Sequence, residues 1–307
     1  MLTPQGLRFR AALFHVLRSF LNQNGFLEVD TPIRQPLLIP EANITPLRSQ
    51  DWFLQSSPEL YMKRLLAAGC DKIYQICRCF RSGEQGRLHM EEFVMVEWYR
   101  TGDDYLVLME DCEHLLQYIG EHIESGGMGE GNGLQEGVFS ETDFLWKGPY
   151  ERLRVNEAFN RYSPVSMEQS LQDGRFDEIL VEHVEPNLGL KRPLFLYDYP
   201  VELGSLARRS DKDERVVERF ELYVKGIELA NGFSELTDSS EQRQRFKEEF
   251  LKLNTIGLNW DMPERFLREL EKIEKAAGIA FGFDRLLMLV MGKEAIGDVV
   301  PFSHDEL

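Results

Sequence analysis

The chain has 307 residues, of which 43% are apolar and 11% aromatic, enough to form a buried core. Its 52 acidic residues oppose 35 basic ones, and the net charge of −17 disfavours an extensive interface with phosphate backbones, although it is compatible with a local basic groove. The start has no signal-peptide pattern and no apolar run reaches membrane-spanning length, so we expect a cytoplasmic protein without membrane contact.

The N-terminal part predicts a long helix followed by a short strand. Residues 4–24 have the apolar periodicity of an amphipathic helix, and 25–32 fit a strand that ends at its proline. Residues 33–50 contain several prolines and are expected to be irregular. A second helix is predicted to begin after Ser57, with Glu59 in its first turn, where the carboxylate either caps the helix or binds a ligand.

Two antiparallel strands are predicted next, at 73–80 and 92–99, joined by a polar loop. The loop carries Arg81 where the first strand ends and His89 further along, a combination suited to binding a polyphosphate. Strand alternation places Glu97 on the same face as several aromatic residues, which indicates the floor of a pocket rather than a solvated surface.

The middle of the chain predicts helices around one further strand. Residues 104–124 fit a helix, and the glycine-rich stretch 125–137 is expected to be a flexible loop. Residues 155–190 predict a helical insertion, and 193–200 a strand. We therefore expect a single domain spanning 1–307.

The stretch VVERFELYVKGIELANGFSEL carries three glutamates seven residues apart, Glu221, Glu228 and Glu235, among aliphatic and aromatic neighbours. Its glycines and β-branched residues favour a hairpin over a helix with a solvent-facing acidic stripe. With Lys225 and Gly226 as a two-residue turn, Glu221 and Glu228 lie on one face, where both carboxylates could bind one metal ion.

Asn231 and Glu235 have the opposite parity to Glu228 in this hairpin. They join the same face only if the strand bends or bulges, and Gly232 would permit that. Spacing alone leaves open whether the acids form one site or two.

The last third predicts two helices, 239–254 and 262–275, and then a strand that leads into a helix. Asp284 is expected to be the N-cap of that last helix. Gly282 allows a ligand to approach the strand end closely, and Arg285 in the first turn can stack on an aromatic ring.

Three of these blocks resemble the signature motifs of class II aminoacyl-tRNA synthetases, in the same order. GFLEVDTP is similar to motif 1, FRSGEQGRLHMEEFVMVEWY to motif 2 and GIAFGFDR to motif 3, while SPELYMKRL and RFELYVKGIELANGFSEL resemble the lysyl group. LLAAGC, VEWYR, KGIELANGF and AFGFDR further resemble the bacterial elongation factor P lysine ligases, truncated paralogues of lysyl-tRNA synthetase. The resemblance implies an α+β class II synthetase catalytic fold, a mostly antiparallel β-sheet flanked by helices, without an anticodon-binding domain.

The same resemblance implies an activity. An enzyme of this kind uses ATP to activate (R)-β-lysine or α-lysine as an acyl-adenylate and transfers it to the ε-amine of a lysine on elongation factor P. The implied cofactors are ATP and magnesium (Mg2+), and the implied assembly is a homodimer formed through motif 1, with no tRNA anticodon contact. Two alternatives stay open: a synthetase-like enzyme that charges an RNA, and a non-catalytic regulatory paralogue.

Carried over position by position, the resemblance implies three sets of site residues. The ATP-binding set is Arg81, Gly83, Glu84, His89, Met90, Phe93, Glu228, Leu229, Gly282 and Arg285. The substrate-binding set is Ser57, Glu59, Glu97, Tyr99, Asn231, Glu235 and Ala280. The metal set is Glu221 and Glu228, and the catalytic residues are Arg81, Glu228 and Arg285.

Roles follow from the resemblance as well. Arg81 is expected to bind the α-phosphate and the substrate carboxylate, His89 the outer phosphates, and Phe93 with Arg285 the two faces of adenine. At the substrate end, the implied roles are a contact to the amine nearest the reacting carboxyl (Glu59, beside Ser57), to the carboxylate (Asn231), and to the side-chain ammonium (Glu97, Tyr99 and Glu235).

The chain departs from the family pattern at two motif 2 positions. The usual glutamate is Gly83 here, with Glu84 one place later, and the usual asparagine is Met90. ATP binding is expected to survive because the backbone at position 90 can still bind adenine. In motif 3, Ala280 replaces the glycine of the lysyl enzymes, which the family links with a preference for β-lysine.

Overall fold

The computed structural model describes residues 2–125, 145–255 and 261–306. The glycine-rich stretch predicted as a loop therefore lies outside the described residues, apart from Ser125, which ends the preceding helix. No helix within the described ranges is both long enough and apolar enough to cross a lipid bilayer.

One large sheet and one small sheet organise these residues. In chain order the strands are β1 (Leu27–Glu28), β2 (Arg34–Gln35), β3 (Arg48–Ser49), β4 (Trp52–Leu54), β5 (Lys72–Phe80), β6 (Glu92–Thr101), β7 (Glu151–Arg154), β8 (Leu194–Pro200), β9 (Val216–Val224), β10 (Ile227–Ser234) and β11 (Ala276–Gly282). The large sheet has the order β1-β5-β6-β11-β10-β9-β8-β7, and the small one β2-β4-β3. Only the two outer pairs of the large sheet, β1 with β5 and β7 with β8, are parallel among the described strands. The expected mostly antiparallel sheet is confirmed.

Helices flank this sheet. They are α1 (Pro4–Gln23), α2 (Glu59–Ala67), α3 (Tyr105–Glu124), α4 (Val155–Tyr162), α5 (Met167–Gln172), α6 (Phe176–Ile179), α7 (Ser239–Thr255), α8 (Glu264–Leu270) and α9 (Phe283–Val290). A π-helical turn at Leu180–Val184 and a 3-10 turn at Glu185–Asn187 follow α6. The predicted helix over 262–275 is shorter than expected: α8 spans Glu264–Leu270, and a turn leads from it to β11.

The apolar face of α1 shows how one side of the sheet is covered. Leu13, Leu17 and Leu21 recur at helical spacing and are fully buried. They share one apolar cluster with α3, α9 and alternate residues of β6, including Val96 and Trp98. The other parity of β6, which carries Glu97, therefore faces the opposite side of the sheet, where the candidate site lies.

The predicted hairpin is confirmed in its turn and register. Lys225 and Gly226 have φ angles of 52° and 73°, and Glu228 lies opposite Tyr223. Positive φ at both central positions is the type I′ geometry that suits a two-residue hairpin. The asparagine- or glycine-like conformation at Lys225 is tolerated because the turn also donates two backbone hydrogen bonds, to the carbonyls of residues 188 and 189.

The bulge in β10 lies at a different place from the one expected. The register shifts between Glu228 and Ala230, so the extra residue is Leu229 rather than Gly232. Gly232 stays in the ladder opposite Phe220, and a Cβ at that position would lie 2.8 Å from the Phe220 ring. The glycine therefore admits a close aromatic ring and does not interrupt pairing.

The prediction of Asp284 as an N-cap is wrong. The N-cap of α9 is Gly282, and the buried Asp284 side chain accepts hydrogen bonds from Arg10 Nη1 at 2.6 Å and from the Val94 backbone N–H at 2.7 Å. The Arg10 guanidinium also lies 4.7 Å from the centre of the Phe283 ring. A buried carboxylate thus joins α1, β6 and the start of α9.

Replacing Asp284 by alanine is expected to lower the free energy of unfolding by about 3–5 kcal/mol, because the buried Arg10 charge loses its partner. Urea denaturation measures the change. Glu178→Gln, which removes an exposed ion pair with Arg175, is the control and should leave the midpoint nearly unchanged. Equal midpoints for the two variants would contradict a supporting role for Asp284.

Candidate active site

A cavity opens on the central strands of the large sheet, with about 1160 Å³ of empty space including its mouth. Most of the sequence-predicted residues line it. Those residues are Ser57, Glu59, Arg81, Glu84, His89, Met90, Phe93, Glu97, Tyr99, Glu228, Leu229, Asn231, Ala280, Gly282 and Arg285. Gly83, Glu221 and Glu235 do not belong to the lining.

A row of directly paired residues crosses four strands at the cavity floor. Glu97 in β6 lies opposite Ala280 in β11, Ala280 opposite Asn231 in β10, and Asn231 opposite Glu221 in β9. Directly opposed residues on neighbouring strands project to the same face. Glu228 shares this face because it is paired with Tyr223, two residues from Glu221, and the bulge at Leu229 brings Asn231 onto the same face.

Buried carboxylates dominate one end of the cavity. Lys63 is 1% exposed, and its Nζ lies 2.5 Å from an oxygen of Glu59 and 2.5 Å from an oxygen of Glu235. The two acids raise the Lys63 pKa more than burial lowers it, so the ammonium stays charged. Burial raises the pKa of Glu235 in spite of this contact, and the nearby Glu59 raises it further.

Glu97 has a hydrogen-bond donor but no cation of its own. Its Oε1 accepts a hydrogen bond from the Tyr99 hydroxyl at 2.5 Å, whereas Oε2 is buried and has no hydrogen-bond partner in the described part of the chain. Burial, followed by the charge of Glu59, raises the pKa of Glu97 well above its usual value. Gly278 makes room for this arrangement, because a Cβ there would lie 2.2 Å from the Tyr99 ring.

Cationic groups occupy the other end. The Arg81 guanidinium lies 5.2 Å from the centre of the Phe93 ring, and its Nε is buried without a hydrogen-bond partner among the described residues. Arg285 is held by the Glu228 backbone carbonyl at 2.7 Å and by His89 Nε2 at 2.8 Å. Burial and the Arg285 charge lower the pKa of His89, so its neutral ring can accept this hydrogen bond.

The two departures in motif 2 are linked in the structure. Gly83 has a φ of 80°, and its N–H donates a 2.6 Å hydrogen bond to a carboxylate oxygen of Glu91, the residue after Met90. Glu84 lies within 3.8 Å of Arg81. The side chain of Glu91 thus closes the loop across its base, while Glu84 and Met90 stay at the cavity wall.

The two carboxylates predicted to bind magnesium differ in their surroundings. Glu228 lines the cavity, whereas the buried Glu221 accepts hydrogen bonds from Tyr199, Tyr223 and Arg219, each at 2.6 Å. These donors occupy three of the roughly four lone-pair positions of a carboxylate. Burial raises the Glu221 pKa, Arg219 lowers it, and the charge of Glu228 raises it again. Glu228 faces the cavity and Glu221 keeps about one open lone-pair position, so the pair would offer a divalent cation such as magnesium few oxygen ligands besides those of Glu228.

Sequence reasoning missed three residues of this site. Arg219 connects a predicted metal ligand to a predicted substrate-binding residue, because it donates hydrogen bonds to both Glu221 and Asn231 Oδ1. Its position two residues before Glu221, on the same face of the strand, was a usable signal in the sequence. Lys63 lies four residues after Glu59 on a helix, the spacing of an ion pair. Glu41 also lines the cavity, but its irregular segment gave no periodic signal.

Replacing Glu97 by glutamine is expected to stabilise the protein relative to the wild type, and this difference should increase as the pH rises. Because the folded-state pKa of Glu97 is above the ordinary value of 4.5, the native protein keeps a proton that the unfolded chain has lost. The contribution of Glu97 to the free energy of unfolding of the wild type therefore falls as the pH rises above about 4.5. Glutamine does not titrate. Between pH 4.5 and the folded-state pKa of Glu97, the difference in free energy of unfolding between the variant and the wild type should grow by up to about 1.4 kcal/mol per pH unit.

Urea denaturation at a series of pH values measures this difference. Glu92→Gln is the matched control, since Glu92 lies on the same strand but is exposed. A Glu97→Gln curve parallel to that of the wild type would contradict the raised pKa.

Comparisons with known proteins agree with this geometry. The family described as tRNA synthetases class II (D, K and N) matches residues 3–306. Elongation factor P–(R)-β-lysine ligase of Edwardsiella ictaluri (strain 93-146) is 38% identical over 309 residues, covering 96% of this chain and 94% of the relative. The proteins of the same name from Proteus mirabilis (strain HI4320) and Salmonella arizonae are 38% and 37% identical, and the alignments cover 95% and 96% of this chain and 93% and 94% of the relatives. The chain therefore belongs to the class II tRNA synthetases and, among them, to the family of elongation factor P–(R)-β-lysine ligases.

Proposed function

We propose that the protein uses ATP to activate (R)-β-lysine or α-lysine as an acyl-adenylate and transfers the acyl group to a lysine ε-amine of elongation factor P. The observation that carries this proposal is the polarity of the cavity floor. Arg81 lies over the ring of Phe93 near the start of β6, whereas the buried Glu97 and Tyr99 lie further along that strand. A diamino acid matches this order, with its carboxylate at the arginine and its terminal ammonium at the acids.

In the first step, a carboxylate oxygen of the substrate attacks the α-phosphorus of ATP, and the bond to pyrophosphate breaks. Arg81 is placed to stabilise the charge that develops on the phosphoryl oxygens. Its buried Nε, which lacks a partner among the described residues, is a donor available for such an oxygen. Phe93 and Arg285 line the cavity where adenine would stack.

Magnesium, when bound, would neutralise phosphate charge, and Glu221 with Glu228 would hold it. The Arg219 guanidinium donates hydrogen bonds to both Glu221 and Asn231. One side chain thus orients the proposed magnesium ligand Glu221 and Asn231, the residue proposed to bind the substrate carboxylate. In the second step, an acceptor amine attacks the acyl carbon, AMP leaves, and the amine loses a proton.

ATP–pyrophosphate exchange tests the activity. The wild type is expected to support exchange with (R)-β-lysine and α-lysine but not with norleucine, which lacks the terminal ammonium that the buried acids require. Transfer of the activated group to elongation factor P, and not to tRNA, separates this proposal from an RNA-charging enzyme. Absence of exchange with both lysines would contradict it and favour a non-catalytic regulatory paralogue.

Ala280→Gly tests the cause of the substrate preference in the same assay. The methyl group of Ala280 lies on the floor between Glu97 and Asn231, so its removal should change the ratio of the two specificity constants, kcat/KM, by roughly tenfold or more towards α-lysine. An unchanged ratio would show that Ala280 does not select the position of the amine.

A homodimer formed through motif 1 is also proposed. Leu27 of this segment and Ile33, which follows it, are 59% and 42% exposed, which suits an apolar contact with a second copy. Sedimentation should give the mass of a dimer, and Leu27→Lys should shift it towards the monomer. Leu251→Lys, at another exposed leucine, is the control. A wild-type monomer would contradict the proposal.

A further inference from the structure

Glu41 is an acid of the cavity wall that the family resemblance did not assign. It lines the cavity together with Ser57, Glu59 and Arg81. It is half-buried and follows Pro40 in the proline-containing segment before β3, where no regular element would have indicated a side chain of the site. Its position therefore depends on tertiary contacts.

Apolar packing and two hydrogen bonds connect the segment around Glu41 to the rest of the protein. Ile39 is buried in an apolar cluster with residues of α2 and α8. The Ala42 N–H donates a 2.8 Å hydrogen bond to a carboxylate oxygen of Glu249 in α7, and the Ser82 N–H donates a 2.8 Å hydrogen bond to the Thr45 carbonyl. The chain on both sides of Glu41 is thus fixed to the body of the protein and to motif 2.

The Glu41 carboxylate itself has no hydrogen bond or ion pair within residues 2–125, 145–255 and 261–306. The charges that face it are Glu59, Arg81, Glu249 and Lys63. Burial, followed by the Glu59 charge, raises the pKa of Glu41 to about 7. Two of these four groups are acids and two are bases, and neither base forms an ion pair with the Glu41 carboxylate in the described part of the chain, so the carboxylate is free to bind an additional cation.

Lys63 cannot be that cation, because Glu59 and Glu235 already hold it at 2.5 Å on each side. The resemblance assigns Glu59 to the substrate amine nearest the reacting carboxyl, but the Lys63 ammonium already offsets part of the negative charge of Glu59. Glu41 lines the cavity with both Glu59 and Arg81, and the charges of both act on it, so it is close to the place where the substrate carboxylate would bind.

We propose that Glu41 binds the substrate amino group that lies nearer the reacting carboxyl, and thereby selects a diamino acid over a monoamino acid. This inference rests on the proposed lysine activation. It makes Glu41 a substrate-binding residue for one amine, while Glu97 and Tyr99 serve the other.

The test removes the charge from the protein and the amine from the ligand. For Glu41→Gln, pyrophosphate exchange is expected to show a KM for (R)-β-lysine raised roughly 10- to 100-fold, with kcat changed much less. The inhibition constant of 6-aminohexanoate, which lacks that amine, should equal that of the wild type. Asp51→Asn, an exposed acid of the same N-terminal region, is the control with unchanged constants.

A pH profile adds a second readout. The wild-type KM for (R)-β-lysine should fall as the pH rises through about 7, because the carboxylate must ionise to bind the ammonium, and Glu41→Gln should weaken this dependence to the part that Glu97 and Glu235 contribute. The charged groups that face Glu41, which are Glu59, Glu249, Lys63 and Arg81, are the same in both proteins.

The outcomes separate the two proposals. If the wild type supports exchange and Glu41→Gln has the same KM, the role of Glu41 is wrong and lysine activation stands. If 6-aminohexanoate binding weakens in parallel with lysine binding, Glu41 supports the pocket instead of binding an amine. If the wild type activates neither lysine, lysine activation itself fails.

Discussion

Lys63 is buried between Glu59 and Glu235, and the acids around it outnumber the cations that this end of the cavity contains. Glu97 and Glu41 remain without a cationic partner in the described chain, and burial raises the pKa of both. Burying a carboxylate without a partner is unfavourable, so the free protein keeps protons on these groups or tolerates reduced stability. A substrate with two ammonium groups removes that penalty. The same constraint explains why the site should reject amino acids with apolar side chains.

The register of the sheet gives these charges their order. The bulge at Leu229 allows Glu228, Asn231 and Glu221 to share a face, and direct pairing extends that face through Ala280 to Glu97. The three evenly spaced glutamates of the hairpin consequently divide: Glu221 and Glu228 share this face, and Glu235 forms an ion pair with Lys63. The arrangement of charges on this face thus depends on a backbone irregularity of a single residue.

Much of the fold could be predicted from the sequence, because its strongest signals are local. The turn at Lys225 and Gly226 and the strands of motif 2 follow from period-two alternation and turn chemistry. The position of the bulge could not be predicted, since Gly232 is needed for the ring of Phe220, a contact set by the tertiary structure. Glu41 was missed for a similar reason: long-range contacts alone place its irregular segment at the site.

The central claim is that substrate ammonium groups complete a set of underpaired buried acids. Calorimetric binding of (R)-β-lysine at about pH 6.5, in buffers that differ in ionisation enthalpy, measures it most directly because ionisation of the acids releases their protons. The account predicts a net release of protons on binding, smaller in Glu41→Gln and in Glu97→Gln. Binding without proton release, or with proton uptake, would contradict it.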